Sequence, residues 1–409
     1  MANVDPHARR GIISVDATKF SGMKQAVVIA CARTPIGRAH KNLGYYRAVR
    51  SDDLAVAVVR AVIERSGVDP NVVEDLLFGV TGQRGEQGYN VGRMIGIMAG
   101  LPFDTGGSTI NRLCGSSLQA LNQAAHSIMV GAEDVQIVGG VEHMHHLPME
   151  TPDIVNPLVF ERTPSEALIM GNTAEMLAES RRIGRRAQDE VAVASHHKAA
   201  AANQQGAFKG EIVPTVGHRP NGEQALFEVD QCVRPETNLD TLSGLATPFA
   251  PNGGTVTAGN SSPLNDGAAA MLIMSRDRAR ELGLKPLVRV VASAVAGVDP
   301  RFMGIGPVPA TRKALQRAGL TMADIDLVEL NEAFAAQVIA CSEDLEIDPA
   351  KLNIRGGAIA LGHPLGASGA RIATTLIHAM RDRGARYGLA TMCIGVGQGI
   401  ATIFERIDE

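Results

Sequence analysis

Three features are missing from this sequence of 409 residues: an excess of positive charge, a long apolar run, and a paired arrangement of cysteines. The formal net charge is −4, so the chain lacks the basic field on which nucleic-acid binding depends. Apolar runs stop short of the roughly 18 residues that a membrane span requires, and the stretch 54–63 is interrupted by Arg60. We therefore expect neither a nucleic-acid partner nor integral membrane association.

The cysteines are odd in number and scattered, without the CxxC spacing of metal sites or the regular spacing of secreted disulfide frameworks. They are Cys31, Cys114, Cys232, Cys341 and Cys393. Residues 1–23 mix acidic and basic side chains and lack the apolar core of a secretory signal, so we interpret them as a flexible extension. These features predict a reducing, cytoplasmic environment in which thiols are available for chemistry.

Apolar strands alternate with helical patterns along much of the chain. Strands are predicted at 26–30 and 134–140, and helices at 53–65 and 113–129. Further strands are predicted at 268–274, 288–295, 325–330 and 389–394. This alternation indicates an α/β fold in which helices cover a sheet.

The region 143–260 interrupts this pattern, because it is rich in proline and contains one clear helical segment, 186–204. A faint repeat also relates two parts of the chain. A helix rich in small residues starts after Cys114 and is followed by Gly131 and a strand, and a similar helix starts near Leu365 and is followed by Gly384 and a strand. We infer two similar halves with an inserted loop region, and close packing of the two helices in the centre.

Cys114 lies at the predicted start of a helix, where backbone N–H groups and the helix dipole would stabilise a thiolate. A buried structural cysteine is the alternative. His363 lies between Gly362 and Pro364, and a rigid imidazole of this kind suits a base facing a thiol. The alternative is a structural histidine whose ring is fully hydrogen-bonded.

Cys393 ends a predicted strand and opens a glycine-rich turn that contains Gly395. A second thiol there could carry a proton, and the turn offers N–H donors for an oxyanion. The glycine spacing is not that of a dinucleotide-binding loop. Asn331 follows the strand 325–330 and could be a helix N-cap, or could hold a water or direct its amide toward a developing oxyanion.

Together these residues resemble the thiolase family, whose four signatures are Cys-x-Ser, Asn-Glu-Ala-Phe, Gly-His-Pro and Cys-x-Gly. They stand here, in the family's order, as Cys114-Gly-Ser116, Asn331-Glu-Ala-Phe334, Gly362-His-Pro364 and Cys393-Ile-Gly395. The resemblance extends from about residue 25 to the C-terminus. It includes the segments 139–142, 170–175, 254–260 and 265–269.

The resemblance implies two βαβαβαββ halves that form a layered α-β-α-β-α core with an inserted loop domain. The first half would comprise residues 24–142 and 261–290 and carry the nucleophilic cysteine. The inserted domain, 143–260, would bind coenzyme A and form oligomer contacts. Residues 291–409 would form the second half, which carries the asparagine, the histidine and the second cysteine.

The resemblance also implies the chemistry, which is thiolytic cleavage of 3-ketoacyl-CoA. Cys114 would attack the keto carbon, His363 would accept its proton, and Cys393 would protonate the departing acetyl-CoA enolate. His363 with a water held by Asn331 would form one oxyanion site, and the N–H groups of Cys114 and Gly395 the other. Coenzyme A is then a co-substrate, and neither a metal nor a permanently bound cofactor is expected. The segments implied to contact coenzyme A contain Arg234, Thr241, Phe249 and Ser262, and those near the acyl end contain Met170, Met303 and Phe334.

Short-chain biosynthetic thiolases typically carry a histidine where this chain has Ile169, and the segments 111–117 and 139–144 resemble bacterial β-oxidation thiolases. We therefore favour a degradative 3-ketoacyl-CoA thiolase over an acetoacetyl-CoA thiolase that condenses two acetyl-CoA molecules. A ketoacyl-synthase-type enzyme would have a second histidine where Cys393 stands. A non-catalytic acyl-CoA-binding protein would be expected to lose one of the four motifs.

The family resemblance implies a homodimer or tetramer, or a complex with the hydratase/dehydrogenase α-subunit of a β-oxidation system. One local feature suggests a metal, namely the cluster of histidines at 143–146. No cysteine, aspartate or third helix-spaced ligand accompanies it, so we predict no metal there.

Overall fold

The computed structural model describes residues 22–149 and 155–408. The predicted N-terminal extension, 1–23, lies almost wholly outside the described residues. Within those ranges, none of the helices has both the length and the apolar character that crossing a membrane would need.

The fold alternates strands and helices in its first and last thirds. The strands are β1 (Ala26–Arg33), β2 (Gly37–Arg38), β3 (Asp75–Gly79), β4 (Ser108–Ile110), β5 (Val135–His143), β6 (Thr215–His218), β7 (Gln224–Phe227), β8 (Asn265–Ser275), β9 (Val288–Gly297), β10 (Leu327–Leu330), β11 (Tyr387–Ile394) and β12 (Gln398–Arg406). The helices are α1 (Ser51–Ser66), α2 (Val91–Ala99), α3 (Ser116–Val130), α4 (Met170–Arg181), α5 (Arg185–Gln204), α6 (Leu239–Ser243), α7 (Arg276–Glu281), α8 (Pro307–Ala318), α9 (Ala335–Leu345), α10 (Ala358–Leu361) and α11 (Ser368–Arg383).

The strand order shows that the chain contains two related halves. The main sheet runs β10-β11-β12-β9-β1-β8-β5-β3-β4, and β2 pairs with β8. The first half orders its strands β4-β3-β5-β8-β1, and the second repeats this arrangement as β10-β11-β12-β9 without the outermost strand. Two residue pairs between β1 and β9, Val27 with Arg289 and Val28 with Val288, join the halves into one hydrogen-bonded sheet. The internal repeat expected from the sequence is confirmed.

The second half departs from the implied βαβαβαββ pattern at its edge. Where a third strand would lie, the described residues contain an isolated bridge between Val328 and Leu352. Asn353, which has a φ of 43°, follows this bridge. Its side chain accepts from the N–H of Leu330 and donates to the Leu330 carbonyl, each at 2.9 Å. One amide side chain thus takes over hydrogen bonds that a neighbouring strand would otherwise make.

The helices and the two halves of the sheet form five layers, as the family resemblance implies. Helices α1 and α2 pack on one face of the first half, and α8 and α9 pack on the outer face of the second. Helices α3 and α11 lie between the halves and contribute to the largest apolar core. Because α11 is buried from Ser368 to Ile377, this part of the helix is small or apolar on every face apart from Arg371.

The inserted region contains more regular structure than the sequence suggested. The helix predicted at 186–204 is observed as α5, but the expectation of a single clear helix is wrong, since α4 precedes it. Helix α4 packs against α9, and its buried side chains include Gly171, Thr173 and Ala174. Small and polar residues on a buried face hide the apolar period by which a helix is recognised.

Gly369 allows the central helices to approach closely. A Cβ atom at this position would lie 2.3 Å from the backbone nitrogen of Leu118 on α3, well inside contact distance. This contact confirms the expectation that the small residues at the starts of α3 and α11 permit close packing.

We therefore expect Gly369→Ala to lower the thermal unfolding midpoint, because an added methyl group forces backbone apart at a cost of roughly 1–3 kcal/mol. Gly244→Ala is the matched control, since a Cβ there meets no atom within 4 Å and φ is −78°. Differential scanning fluorimetry compares the two variants. Equal midpoints would contradict the central role of this contact.

Candidate active site

Cys114 lies in the tight turn between β4 and α3. The preceding Leu113 has a φ of 45°, a left-handed conformation that is uncommon for a residue with a side chain. The hydroxyl of Ser116 holds this turn, accepting from the N–H of Arg112 at 2.9 Å and donating to the Leu113 carbonyl at 2.6 Å. The turn presents the Cys114 sulfur to two backbone N–H groups, its own and that of Gly395.

Cys393 lies at the end of β11, where the chain turns sharply into β12. Val396 and Gly397 both have positive φ, 61° and 73°, and a β-branched residue rarely adopts this conformation. Such strain persists only where surrounding structure enforces it, and it is common at functional sites. Cys393 is buried and packs against Met303 and Ala333.

Burial determines the protonation of both thiols. It raises the pKa of Cys114 to about 11, although hydrogen bonds from the N–H groups of Gly395 and Cys114 act in the opposite direction. Burial, and then the charge of the neighbouring Cys114, raise the pKa of Cys393 well above its ordinary value. The sequence predicted a stabilised thiolate at Cys114. The N–H donors are present, but desolvation outweighs them, so the resting thiol keeps its proton.

His363 occupies a loop that is held from two directions. Its N–H donates to Asn265 Oδ1 at 2.9 Å, and the N–H of Gly366 donates to Glu142 Oε2 at 2.8 Å. The imidazole Nδ1 lies 2.5 Å from Ser368 Oγ, and Nε2 lies 3.4 Å from Asn331 Nδ2. Burial, together with the positive charge of Arg371, lowers the pKa of His363 to about 3, so the ring is neutral at physiological pH.

Asn331 is not a helix N-cap, because α9 begins four residues later, at Ala335. Its backbone N–H donates to the Thr391 carbonyl at 3.0 Å, which fixes it beside β11, and the residue is fully buried. Its side-chain oxygen accepts from Arg371 Nη2 at 3.4 Å. The N-cap interpretation is therefore wrong, and the role of Asn331 toward an oxyanion stays a prediction.

Arg371 and Ser368 were not identified from the sequence. Arg371 is almost fully buried and lies 3.5 Å from Glu329, whose pKa is raised to about 8 by burial. Burial lowers the pKa of Arg371 itself. Arg371 is the one charged residue among the small and apolar residues 368–377, and that was the available signal, since a charge is rarely buried without a specific partner.

Three of the other predicted residues, Met170, Met303 and Phe334, gather around the thiols. Met170 and Phe334 pack against the cluster formed by Cys393, Met303 and Ala333. A Cβ atom on Gly395 would lie 3.3 Å from the Met170 sulfur, which shows how closely this side chain approaches the turn. The wall beside the two cysteines is therefore apolar.

The residues predicted to contact coenzyme A are more dispersed. The N–H of Ser262 donates to the Ala333 carbonyl at 3.0 Å, and the Phe249 ring lies against Gly171, so both adjoin the apolar wall. Arg234 and Thr241 are exposed on the inserted region. Arg234 donates its N–H to His196, and the Thr241 side chain forms part of the capping box that starts α6.

Glu86, which is distant in the sequence, lies beside the histidine cluster. Among the described residues, Glu86, His143 and His146 place ligand-type atoms within 4.8 Å of one another. Hydrogen bonds engage these rings: His143 accepts from the His146 N–H and its Nε2 faces the Tyr46 carbonyl, while His146 lies between Glu86 and the Arg47 carbonyl. A metal would have to displace these contacts, and the absence of a metal stays a prediction.

Comparison with known proteins gives consistent matches over nearly the whole chain. The family description "Thiolase, N-terminal domain" matches residues 26–277, and "Thiolase, C-terminal domain" matches residues 284–406. A 3-ketoacyl-CoA thiolase of Aeromonas salmonicida is 52% identical over 389 residues, which is 94% of this chain and 100% of that protein. A 3-ketoacyl-CoA thiolase of Vibrio cholerae is 52% identical over 388 residues, with the same coverage of each chain.

Two solved structures share the fold. The Bacillus anthracis acetyl-CoA acetyltransferase matches with a TM-score of 0.87 and 39% identity, covering 94% of this chain and 100% of that one. Human mitochondrial 3-ketoacyl-CoA thiolase matches with a TM-score of 0.87 and 38% identity, covering 95% and 100%. These matches confirm the expected fold.

The raised pKa of Cys114 leads to a prediction for the resting protein. The thiolate is the absorbing and nucleophilic form, so a difference titration of wild type against Cys114→Ala should show no thiolate appearing between about pH 6 and about pH 9. The ultraviolet absorbance of the thiolate measures this titration directly. A midpoint below about pH 8 would contradict the conclusion that desolvation outweighs the N–H donors.

Proposed function

Because the chain belongs to the thiolase family, a family of acyltransferases, we propose that it cleaves 3-ketoacyl-CoA with free coenzyme A in fatty-acid β-oxidation. The products would be acetyl-CoA and an acyl-CoA shortened by that unit. The observation that carries this proposal is a pair of neighbouring thiols, in which the charge of Cys114 raises the pKa of Cys393, together with a neutral His363 imidazole that faces the Asn331 amide.

Sequence identity supports the degradative class more strongly than the fold does. The two solved structures have different titles, an acetyl-CoA acetyltransferase and a 3-ketoacyl-CoA thiolase, yet they match with the same TM-score. The relatives at 52% identity are 3-ketoacyl-CoA thiolases. Condensation of two acetyl-CoA molecules is the second candidate, and it uses the same residues in the reverse direction.

In the first step, the Cys114 sulfur attacks the keto carbon of the substrate while its proton moves to His363 Nε2. The resting groups are both neutral, so the transfer creates charge inside a dry site. The developing oxyanion therefore needs fixed donors, because no bulk water can stabilise it. We assign one oxyanion site to His363 with a water held by Asn331, and the other to the backbone N–H groups of Cys114 and Gly395.

In the second step, the C2–C3 bond breaks, and its electron pair leaves with acetyl-CoA as an enolate. Cys393 gives its proton to that enolate carbon. The raised pKa of the Cys393 thiol suits this role, since the group keeps its proton until a strong base forms beside it. The acyl group stays on Cys114 as a thioester.

In the last step, the thiol of a second coenzyme A attacks this acyl group, and Cys114 leaves as the thiolate. The proton of the incoming thiol passes to the Cys393 thiolate, and the proton held by His363 returns to the Cys114 thiolate, so all three groups regain their resting state. Coenzyme A acts as a co-substrate, and none of these steps calls for a metal or a permanently bound cofactor. Such a two-stage covalent route predicts ping-pong kinetics.

The apolar wall beside the thiols supports an acyl substrate. We propose that Met170, Met303 and Phe334 line the acyl end, with Ile169 preceding them at the start of α4. Coenzyme A would lie along the inserted region, against Arg234, Thr241, Phe249 and Ser262. Exposed positions on that region suit a large, charged nucleotide better than the dry interior does.

The assembly and location of the protein are also proposals. We propose a homodimer or tetramer, or a complex with the hydratase/dehydrogenase α-subunit of a β-oxidation system. The cytoplasm stays the predicted compartment, on the basis of the scattered cysteines and the bacterial relatives.

The function is tested by thiolysis of 3-ketoacyl-CoA substrates from short to long chains. We expect turnover to increase toward medium or long chains, and Cys114→Ala to lose it by roughly 10³-fold or more, because the acyl-enzyme cannot form. Cys31→Ala is the control, since Cys31 lies buried in the main core. Activity confined to acetoacetyl-CoA would favour the short-chain class, and no turnover by the wild type would refute the proposal.

The two cysteines can be separated by their half-reactions. Cys393→Ala should still transfer an acetyl group from acetyl-CoA to Cys114, because that exchange breaks no carbon–carbon bond. It should lose both thiolysis and exchange of the acetyl-CoA methyl protons with deuterated water, which require the acid–base role of Cys393. Mass spectrometry and proton NMR measure these steps. Retained methyl exchange would show that another group handles this proton.

A further inference from the structure

The buried guanidinium of Arg371 fixes how the hydrogen bonds around His363 are arranged. Arginine carries five N–H donors and cannot accept, so whatever it contacts must present an acceptor. Its Nη2 lies 3.4 Å from the side-chain oxygen of Asn331. Asn331 is fully buried and could not reverse its amide without turning an NH₂ group toward this cation. The amide orientation is therefore determined by the arginine.

This orientation turns the NH₂ group of Asn331 toward His363. Asn331 Nδ2 lies 3.4 Å from His363 Nε2, so Nε2 must be the unprotonated, accepting nitrogen of the neutral ring. The proton then lies on Nδ1, which faces Ser368 Oγ at 2.5 Å. Ser368 can accept it, because its own hydroxyl proton donates to the Pro364 carbonyl at 2.9 Å.

We propose that Ser368 and Arg371, one turn apart at the start of α11, are positioning residues that hold His363 in the Nδ1–H tautomer, so that Nε2 carries a lone pair and no proton. Ser368 acts from the Nδ1 side of the ring, and Arg371 acts from the Nε2 side through Asn331. In each of the four hydrogen bonds of this network, one group donates and the other accepts. The opposite tautomer would place two donors face to face at Asn331.

The tautomer matters because only the nitrogen with a free lone pair can accept a proton. A His363 with its proton on Nε2 could not take the proton of Cys114 at that atom. The functional consequence rests on the proposed thiolase reaction, whereas the tautomer itself does not. The two can therefore fail separately.

The tautomer is tested on the wild-type protein by ¹⁵N NMR with selectively ¹⁵N-labelled histidine. The ring nitrogen shifts distinguish Nδ1–H from Nε2–H, and His363→Gln identifies the signals of His363. We expect the Nδ1–H pattern, unchanged between about pH 6 and about pH 8, since the pKa of the ring lies far below this range. An Nε2–H pattern would overturn the proposal, whatever the activity of the protein.

The contribution of Ser368 is tested by Ser368→Ala and Ser368→Thr. We expect Ser368→Ala to lower kcat roughly tenfold to a hundredfold with KM changed less than about twofold, and to mix the two tautomers in the NMR spectrum. Ser368→Thr keeps a hydroxyl and should restore most of kcat and the single tautomer. Thr374→Val removes another buried hydroxyl from α11 and is the control for stability.

Arg371→Met is compared with the wild type by its kcat and by the His363 tautomer in the NMR spectrum. It should also mix the tautomers and lower kcat, because the Asn331 amide becomes free to reverse. A Ser368→Ala protein with wild-type kcat and a single Nδ1–H tautomer would overturn the role of Ser368. Loss of kcat that follows only the loss of thermal stability, without a tautomer change, would assign both residues a structural role. Absence of thiolysis in the wild type, with the Nδ1–H pattern present, would refute the proposed reaction alone.

Discussion

The contact between α3 and α11 is the constraint on which the site depends. Each helix begins in the interior, and the residues just before its first turn carry chemistry: Cys114 before α3 and His363 before α11. Backbone-to-backbone approach at Gly369 and Leu118 sets the distance between the halves. Sheet hydrogen bonds could not do this, since only two residue pairs join β1 to β9. The proposed nucleophile and its proposed base therefore come from different halves, held together by helix packing.

Burial determines which groups are charged where α3 and α11 begin. Cys393 and His363 are buried and Cys114 is partly buried, and desolvation favours the neutral form of each. In the proposed reaction, charge appears only when the substrate is attacked, and backbone N–H groups of Cys114 and Gly395 already point at the sulfur. The strained turns at Leu113 and Val396 hold those N–H groups in place. A donor fixed in advance costs no reorganisation during the reaction, which is the main source of electrostatic stabilisation in enzymes.

Most of the fold could be predicted from the sequence, and the candidate reacting groups could be named from it, because local patterns carry both. Alternating apolar segments predicted the layered halves, and the four motifs predicted Cys114, Asn331, His363 and Cys393. What the sequence missed depends on contacts between distant segments. Glu86 reaches the histidine cluster from 57 positions before His143. The pKa of Cys114 was predicted in the wrong direction, because the extent of burial is a property of the packed molecule rather than of the helix start.

The central claim is that an acyl group passes through Cys114. It is tested most directly by mixing the protein with one equivalent of a 3-ketoacyl-CoA in the absence of free coenzyme A, quenching with acid, and mapping the modified peptide by mass spectrometry. The account predicts one acyl group on Cys114, shorter than the substrate by an acetyl unit, together with an equal amount of acetyl-CoA. Acetyl-CoA formed without acylation of Cys114, or acylation of a different cysteine, would contradict it.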